Sequence, residues 1–181
     1  PRYHLGLSAT VKRADGLGRI FEYYLGDICF RSKVDKKTNV EVRLMEYKCD
    51  DIRYCKEETL WNGKVCRPRI INNICAWRPR TDYIMDIVYK CYDMGRKTLV
   101  LSDRREHCLE MVRLANEKYG GDIAGAYIGG MKINELDDSN KKMIIAGTYQ
   151  ACSEGYDNKT LSCLIMASPI GNIEQSLGRV L

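Results

Sequence analysis

From Lys97 to the end of the chain, apolar and polar stretches alternate in a repeating order. "KTLVLS" is an unbroken apolar run of strand length. "DRREHCLEMVRLANEKYG" follows it, with Cys108, Leu109, Val112 and Ala115 at helical spacing and a glycine stop. "IAGAYIGG" then reads as a strand, "INELDDSN" as a short helix, "KMIIAGT" as a strand, "YQACSEGYDN" as a loop or short helix, and "LSCLIMASP" as a strand. Just upstream, "TDYIMDIVYKCYDMG" is an amphipathic helix ended by Gly95, with Ile84, Ile87, Val88 and Cys91 on one face. Strands that alternate with helices imply right-handed crossovers and a parallel sheet covered on both faces. The fold class expected is α/β, an open parallel sheet.

The closing stretch "GNIEQSLGRVL" predicts one more helix. Asn172 suits its N-cap, and Gln175 could complete a capping box. At about 100° per residue, Ile173, Leu177, Val180 and Leu181 share a core-facing stripe. Gln175 and Arg179 fall on the opposite side as i, i+4 neighbours, held out over whatever lies beside the helix. From these residues alone, a cap with a solvated surface arginine is the better explanation of the pair.

Upstream the pattern is thinner. "GLGRIFEYYLG" has helical character and "NVEVRLMEYK" that of a strand, while "RSKVDKKTN" between them is charged and poor in hydrophobes. The expected organisation is therefore residues 1–31 as the tail of a preceding domain, 32–39 as a linker and 40–181 as the main domain. "RPR" at 67–69 and again at 78–80 brackets "IINNICAW". These arginines beside Trp77 suit either a stiff solvated connection or contact with a nucleic-acid backbone and bases.

Composition changes this picture little. With 181 residues, 45% hydrophobic and 29% charged, the chain is globular and has no run of membrane-spanning length. Nine cysteines, odd in number and without C-x-x-C spacing, argue against a zinc site or a disulfide framework, and for thiols in a reducing, intracellular compartment. A net charge of +5 permits a nucleic-acid partner without requiring one.

Ligands of open parallel sheets sit beyond the carboxyl ends of the strands. Those ends here are Ser102-Asp103-Arg104, Gly129-Gly130, Gly147-Thr148 and Ser168-Pro169. Small, hydroxylic and cationic residues of this kind suit phosphate contact. Each also has a purely local explanation: Ser102 or Asp103 as a helix cap with Glu106 completing the box, the glycines as turns. In "EGYD", Gly155 permits a tight turn, and Asp157 could accept from a ribose hydroxyl or make an Asx-type turn.

Taken in order, four segments resemble the motifs of a superfamily 2 helicase. "LGLSAT" (Leu5–Thr10) is similar to motif III, "TLVLSDRREHC" to motif IV, "MIIAGTYQACSEGYD" to motif V and "QSLGRVL" to the start of motif VI. "KRADGLGRIFEYYLG" resembles the UvsW/XPB-like branch and the related helicases of large cytoplasmic DNA viruses. The resemblance implies the second RecA-like domain of an ATP-dependent motor, with 1–31 as the remnant of the first. It implies that Arg179 reaches the γ-phosphate as an arginine finger, that Gln175 helps place nucleotide or water, and that Gly155 and Asp157 meet the nucleotide. Ser102, Arg104, Gly147 and Thr148 would follow a nucleic-acid backbone, and Ser8 and Thr10 would couple it to nucleotide state.

By the same resemblance ATP and Mg2+ are the cofactors, DNA is favoured over RNA, the first motor domain is the other partner, and host cytoplasm or virion is the location if the source is viral. The chain contains no G-x-x-x-x-G-K-[ST] phosphate loop and no D-E-x-[DH] box before Ser8, so alone it is expected to hydrolyse no ATP. The competing expectation is a non-catalytic RecA-like nucleic-acid-binding module. A flavodoxin- or Rossmann-type enzyme fits less well, because no G-x-G-x-x-G turn is present.

Overall fold

The computed structural model describes residues 3–7, 17–31, 41–153, 156 and 158–170. Its internal contacts divide the chain into two compact units, Pro1–Asn39 and Val40–Leu181. In the first unit the described secondary structure is one helix, α1 (Arg19–Leu25), ended by Gly26 and burying none of its residues. The 32–39 stretch and the closing helix with Gln175 and Arg179 lie outside the described residues.

The second unit begins with chain that the sequence pattern misreads. Residues 41–50 form no strand, and Leu44 is 99% exposed. The alternating pattern of "EVRLMEY" describes a half-buried pleat, but a strand exists only where a neighbouring strand takes up its backbone groups. Among the described residues none does. A short turn of helix follows, α2 (Ile52–Cys55), where the Asp51 carboxylate accepts from Arg53 N at 2.9 Å. Next come α3 (Arg67–Ala76) and α4 (Arg78–Asp93). Each "RPR" is therefore the first turn of a helix rather than a stiff connection leading into one. Proline is tolerated there because its missing N–H would have had no partner in that turn.

Four parallel strands then alternate with three helices: β1 (Thr98–Ser102), α5 (Arg105–Tyr119), β2 (Ala124–Tyr127), α6 (Ile133–Lys141), β3 (Ile144–Thr148), α7 (Tyr149–Ser153) and β4 (Cys163–Met166). The sheet order is β2-β3-β1-β4, all parallel, with Ser102 beside Thr148 and Leu101 beside Met166. This is the expected α/β architecture, a parallel sheet clothed by helices.

Successive residues of each strand serve opposite faces. Val100, Ile144 and Ala146 pack with Ile84, Met85 and Val88 of α4 and Cys108, Met111 and Ala115 of α5. Leu99, Leu101 and Ile145 pack with Tyr149, Cys152, Tyr156 and Leu161 on the other face. α5 leads leftward from β1 past β3 to β2, while α6 and α7 lead rightward on the opposite face, as crossovers of a single hand require. Val88, Leu99, Val100, Ile145 and Ala146 are all fully buried, each large side chain contributing about 1.5–3 kcal/mol.

The buried stripe of α5 is rotated from the predicted one. His107, Cys108, Met111, Leu114 and Ala115 are inside, whereas Leu109 is 42% exposed. The helix lies over β1, β2 and β3, and the row that meets this surface is set by where the strands are. On α4, Thr81, Ile84, Met85 and Val88 make the buried i, i+3, i+4, i+7 row, with Ile87 and Cys91 half-buried at its margin.

Candidate nucleic-acid interface

β1 lies between β3 and β4, so the carboxyl ends of three strands stand side by side. The turns that leave them are stitched together. Ala167 N donates to Leu101 O at 2.7 Å, continuing the β4 ladder, and Asp103 N donates to Ser168 Oγ at 2.8 Å. Tyr149, at the start of α7, donates its hydroxyl to Ser168 O at 2.5 Å, and Arg80 of α4 donates to Ala167 O at 2.7 Å. A strand-end surface tied across β1, β3 and β4 in this way presents a fixed array to a ligand.

Beneath this array lies a buried polar chain that sequence reasoning missed. Ser102 is fully buried, with its hydroxyl 2.9 Å from His107 Nδ1. His107 Nε2 lies 3.2 Å from Thr81 Oγ1, and Thr81 can donate onward to Trp77 O at 3.4 Å. One assignment satisfies every group: Nε2–H donates to Thr81, Nδ1 accepts from Ser102, and Ser102 Oγ accepts from Arg104 N at 3.4 Å and the Cys75 thiol at 3.7 Å. The histidine must be neutral for this. Burial, with the Arg80 charge nearby as the second cause, lowers its pKa to about 4. The sequence signal was a histidine on the inward row of α5, five residues past the strand-end serine. Only the packing of α4 against α5 shows what it joins.

Arg104 is the cation best placed at the strand ends. It is the N-cap of α5, which has no side-chain cap, so neither Ser102 nor Asp103 plays that part. Its guanidinium donates to Asp103 Oδ2 and to Asn72 Oδ1, each at 2.5 Å, and to Pro68 O at 3.2 Å. The side chain is thus anchored to the first turns of α3 yet remains 31% exposed. Thr148 ends β3, and its hydroxyl accepts from Ala151 N at 3.4 Å in the first turn of α7.

Gly147, one residue earlier, belongs to the opposite face. A Cβ there would lie 2.5 Å from Cys152 Sγ and 3.0 Å from Tyr127 O, so its requirement is close packing. Gly129 and Gly130 follow β2, with Gly130 at φ +85°. The structure therefore brings Ser102, Arg104 and Thr148 together on adjacent strand ends and turns Gly147 away. Ser8, Thr10, Gly155, Asp157, Gln175 and Arg179 lie outside the described residues. A shallow groove of about 560 Å³ lies between β2 and α6, lined by Asp122, Gly125, Glu135, Ser139 and Lys142 among others. It sits on the edge strand, apart from the β1, β3 and β4 ends.

Over 99% of its length the chain is 33% identical to a protein of Acanthamoeba polyphaga mimivirus named "Putative ATP-dependent RNA helicase L396". Over the same share it is 29% identical to "Probable helicase D10" of Escherichia phage T5. Both of these relatives are viral proteins with helicase names, and the chain is similar to each over nearly its whole length. It spans 35% and 40% of the lengths of these two relatives. No family model matches it. No helix among the described residues is long and apolar enough to cross a membrane.

Proposed function

We propose that this chain is the second RecA-like half of an ATP-dependent nucleic-acid helicase or translocase, and that the carboxyl edge of its sheet follows a nucleic-acid backbone. The observation that supports this best is the convergence of Arg104, Thr148 and the Ser168 turn on the adjacent ends of β1, β3 and β4. The exposed part of the Arg104 guanidinium and the uncapped first-turn N–H groups of α5 are donors of the kind that phosphate oxygens take. Contacts of this type carry no sequence information and weaken as salt rises. Ser102 acts in this reading through its hold on Arg104 N and His107, and Gly147 by letting α7 sit close behind the strand. DNA is the proposed track. RNA is the competing one, since one relative is named an RNA helicase.

The described residues contain no group of His, Cys, Asp or Glu suited to a metal ion, and the chain has no phosphate loop. They do not by themselves fit ATP with Mg2+, which in this reading is held mainly by a first motor domain. The chemistry of the remaining candidates suits a facing role. Arg179 is a guanidinium for the γ-phosphate, Gln175 an amide for water or nucleotide, Asp157 beside Gly155 a carboxylate for the ribose, and Ser8 and Thr10 the coupling segment.

The test is ATP turnover by this chain together with a first motor domain, with single-stranded DNA, duplex DNA and RNA. Stimulation by nucleic acid that Arg179→Ala reduces by ~10³-fold or more supports the motor. Normal turnover in Arg179→Ala removes the arginine-finger role. Nucleic-acid binding without turnover makes the chain part of a non-catalytic binding module.

A further inference from the structure

Between α2 and α3 the chain builds a small hairpin that nothing described so far uses. Thr59 and Val65 pair as an antiparallel bridge, and Cys66 N donates to Glu58 O at 2.7 Å. Leu60 N donates to Lys64 O at 2.8 Å, and Gly63 N to Leu60 O at 2.9 Å. This leaves Trp61-Asn62-Gly63 as a three-residue loop: a β-turn followed by a residue at φ +76°, which glycine adopts without strain. Asn62 Oδ1 accepts from Lys64 N at 3.1 Å, and Arg69 donates to Thr59 O at 3.3 Å, tying the hairpin to α3. The tip is therefore ordered by its own bonds, and it carries an indole that is 97% exposed.

The segment that carries that indole is cationic. Lys64, Arg67 and Arg69 are exposed, and no carboxylate among the described residues pairs with any of them. From Lys56 to Arg69 four cations stand against two carboxylates, Glu57 and Glu58, and Glu58 already faces Lys56 at 3.4 Å. The patch is continuous with the strand-end array, because Arg104 donates to Pro68 O and Asn72 Oδ1 in α3.

We propose that Trp61 is a stacking tip for single-stranded nucleic acid: one base lies on the indole while the adjoining phosphates run past Lys64, Arg67 and Arg69 towards Arg104. The proposal rests on the nucleic-acid reading of the strand-end array. An exposed π-face accepts any base, and cations spaced beside it hold the backbone without reading sequence. A duplex, whose internal bases already stack on one another, offers the indole such a face only at its ends.

The chain has two tryptophans, Trp61 and Trp77, so the quenching that Trp61→Ala removes belongs to the tip. The experiment titrates the wild-type chain, Trp61→Ala and Trp61→Phe with a short oligothymidylate at low salt, following fluorescence together with anisotropy of a labelled oligonucleotide. Expected are strong quenching in wild type that Trp61→Ala loses, affinity weakened roughly ten-fold in Trp61→Ala, and most of it restored in Trp61→Phe. Thermal unfolding of both variants should match wild type, since the side chain buries almost nothing. Unchanged affinity in Trp61→Ala, or no recovery in Trp61→Phe, overturns the stacking tip and leaves the strand-end reading standing. Absence of binding by wild type overturns both.

Discussion

Neutral His107 makes stability depend on pH in a window where few other groups titrate. In the fold its pKa is about 4, while the unfolded chain restores the ordinary value near 6.5. Between these values the unfolded state binds more protons, so stability is fully present above about pH 6.5 and falls as pH drops towards 4. At 1.36 kcal/mol per pKa unit the loss is about 2 kcal/mol at pH 5 and about 3 kcal/mol once pH passes below 4. For a chain of this size 2 kcal/mol corresponds to roughly 4–8 °C in Tm.

Carboxylates held low by partners, such as Glu110 by Arg113 and Asp138 by Lys141, lose their contribution only as pH falls below their ordinary values. The interval from pH 6.5 to 5 therefore isolates the histidine. The assay is urea unfolding at pH 7 and pH 5 for wild type and His107→Gln. The variant should start about 1–3 kcal/mol weaker, from its imperfect bonds to Ser102 and Thr81, but lie nearly flat across the interval. An equal decline in His107→Gln would refute the assignment of a neutral, buried imidazole to that slope.

Other expectations follow from the same contacts. Arg104→Ala should weaken binding to unrelated oligonucleotides alike and lower the slope of log affinity against log salt by about one, measured by anisotropy over a salt series. Gly147→Ala should cost about 1–3 kcal/mol in denaturant unfolding, because Tyr127 O cannot yield as a flexible side chain would; an unchanged midpoint would mean that β3 and α7 separate freely. On the proposed motor reading, Arg179→Ala, tested with a first motor domain present, should reduce nucleic-acid-stimulated ATP turnover by ~10³-fold, read by phosphate release.

The order of elements from α4 to β4 was legible in the sequence because each carries its own periodicity. The unbroken run "TLVLS" needs cover on both faces, the i, i+3, i+4, i+7 row of α4 needs one face, and Gly95 and Gly120 end their helices with positive φ. That the strand ends share one edge was legible too, because a parallel sheet directs all its carboxyl ends to one side. Similarity to two proteins with helicase names agrees with the helicase resemblance read from the chain.

Partnership was not legible. "EVRLMEY" has a strand's pattern, but pairing is supplied by another segment, and among the described residues none pairs with it. "RPR" read as a stiff connection or a nucleic-acid contact, and only α3 and α4 show that each is the first turn of a helix. The same holds at the candidate site. The sequence offered Ser102, Gly147 and Thr148 as equivalent small residues on one edge. The pleat sends Ser102 inward to His107 and Gly147 against Cys152, and leaves Thr148 at the start of α7. Local sequence sets which element forms, since propensity and periodicity act over a few residues. The face a residue serves, and the group it meets, depend on elements far along the chain that only the tertiary structure brings near.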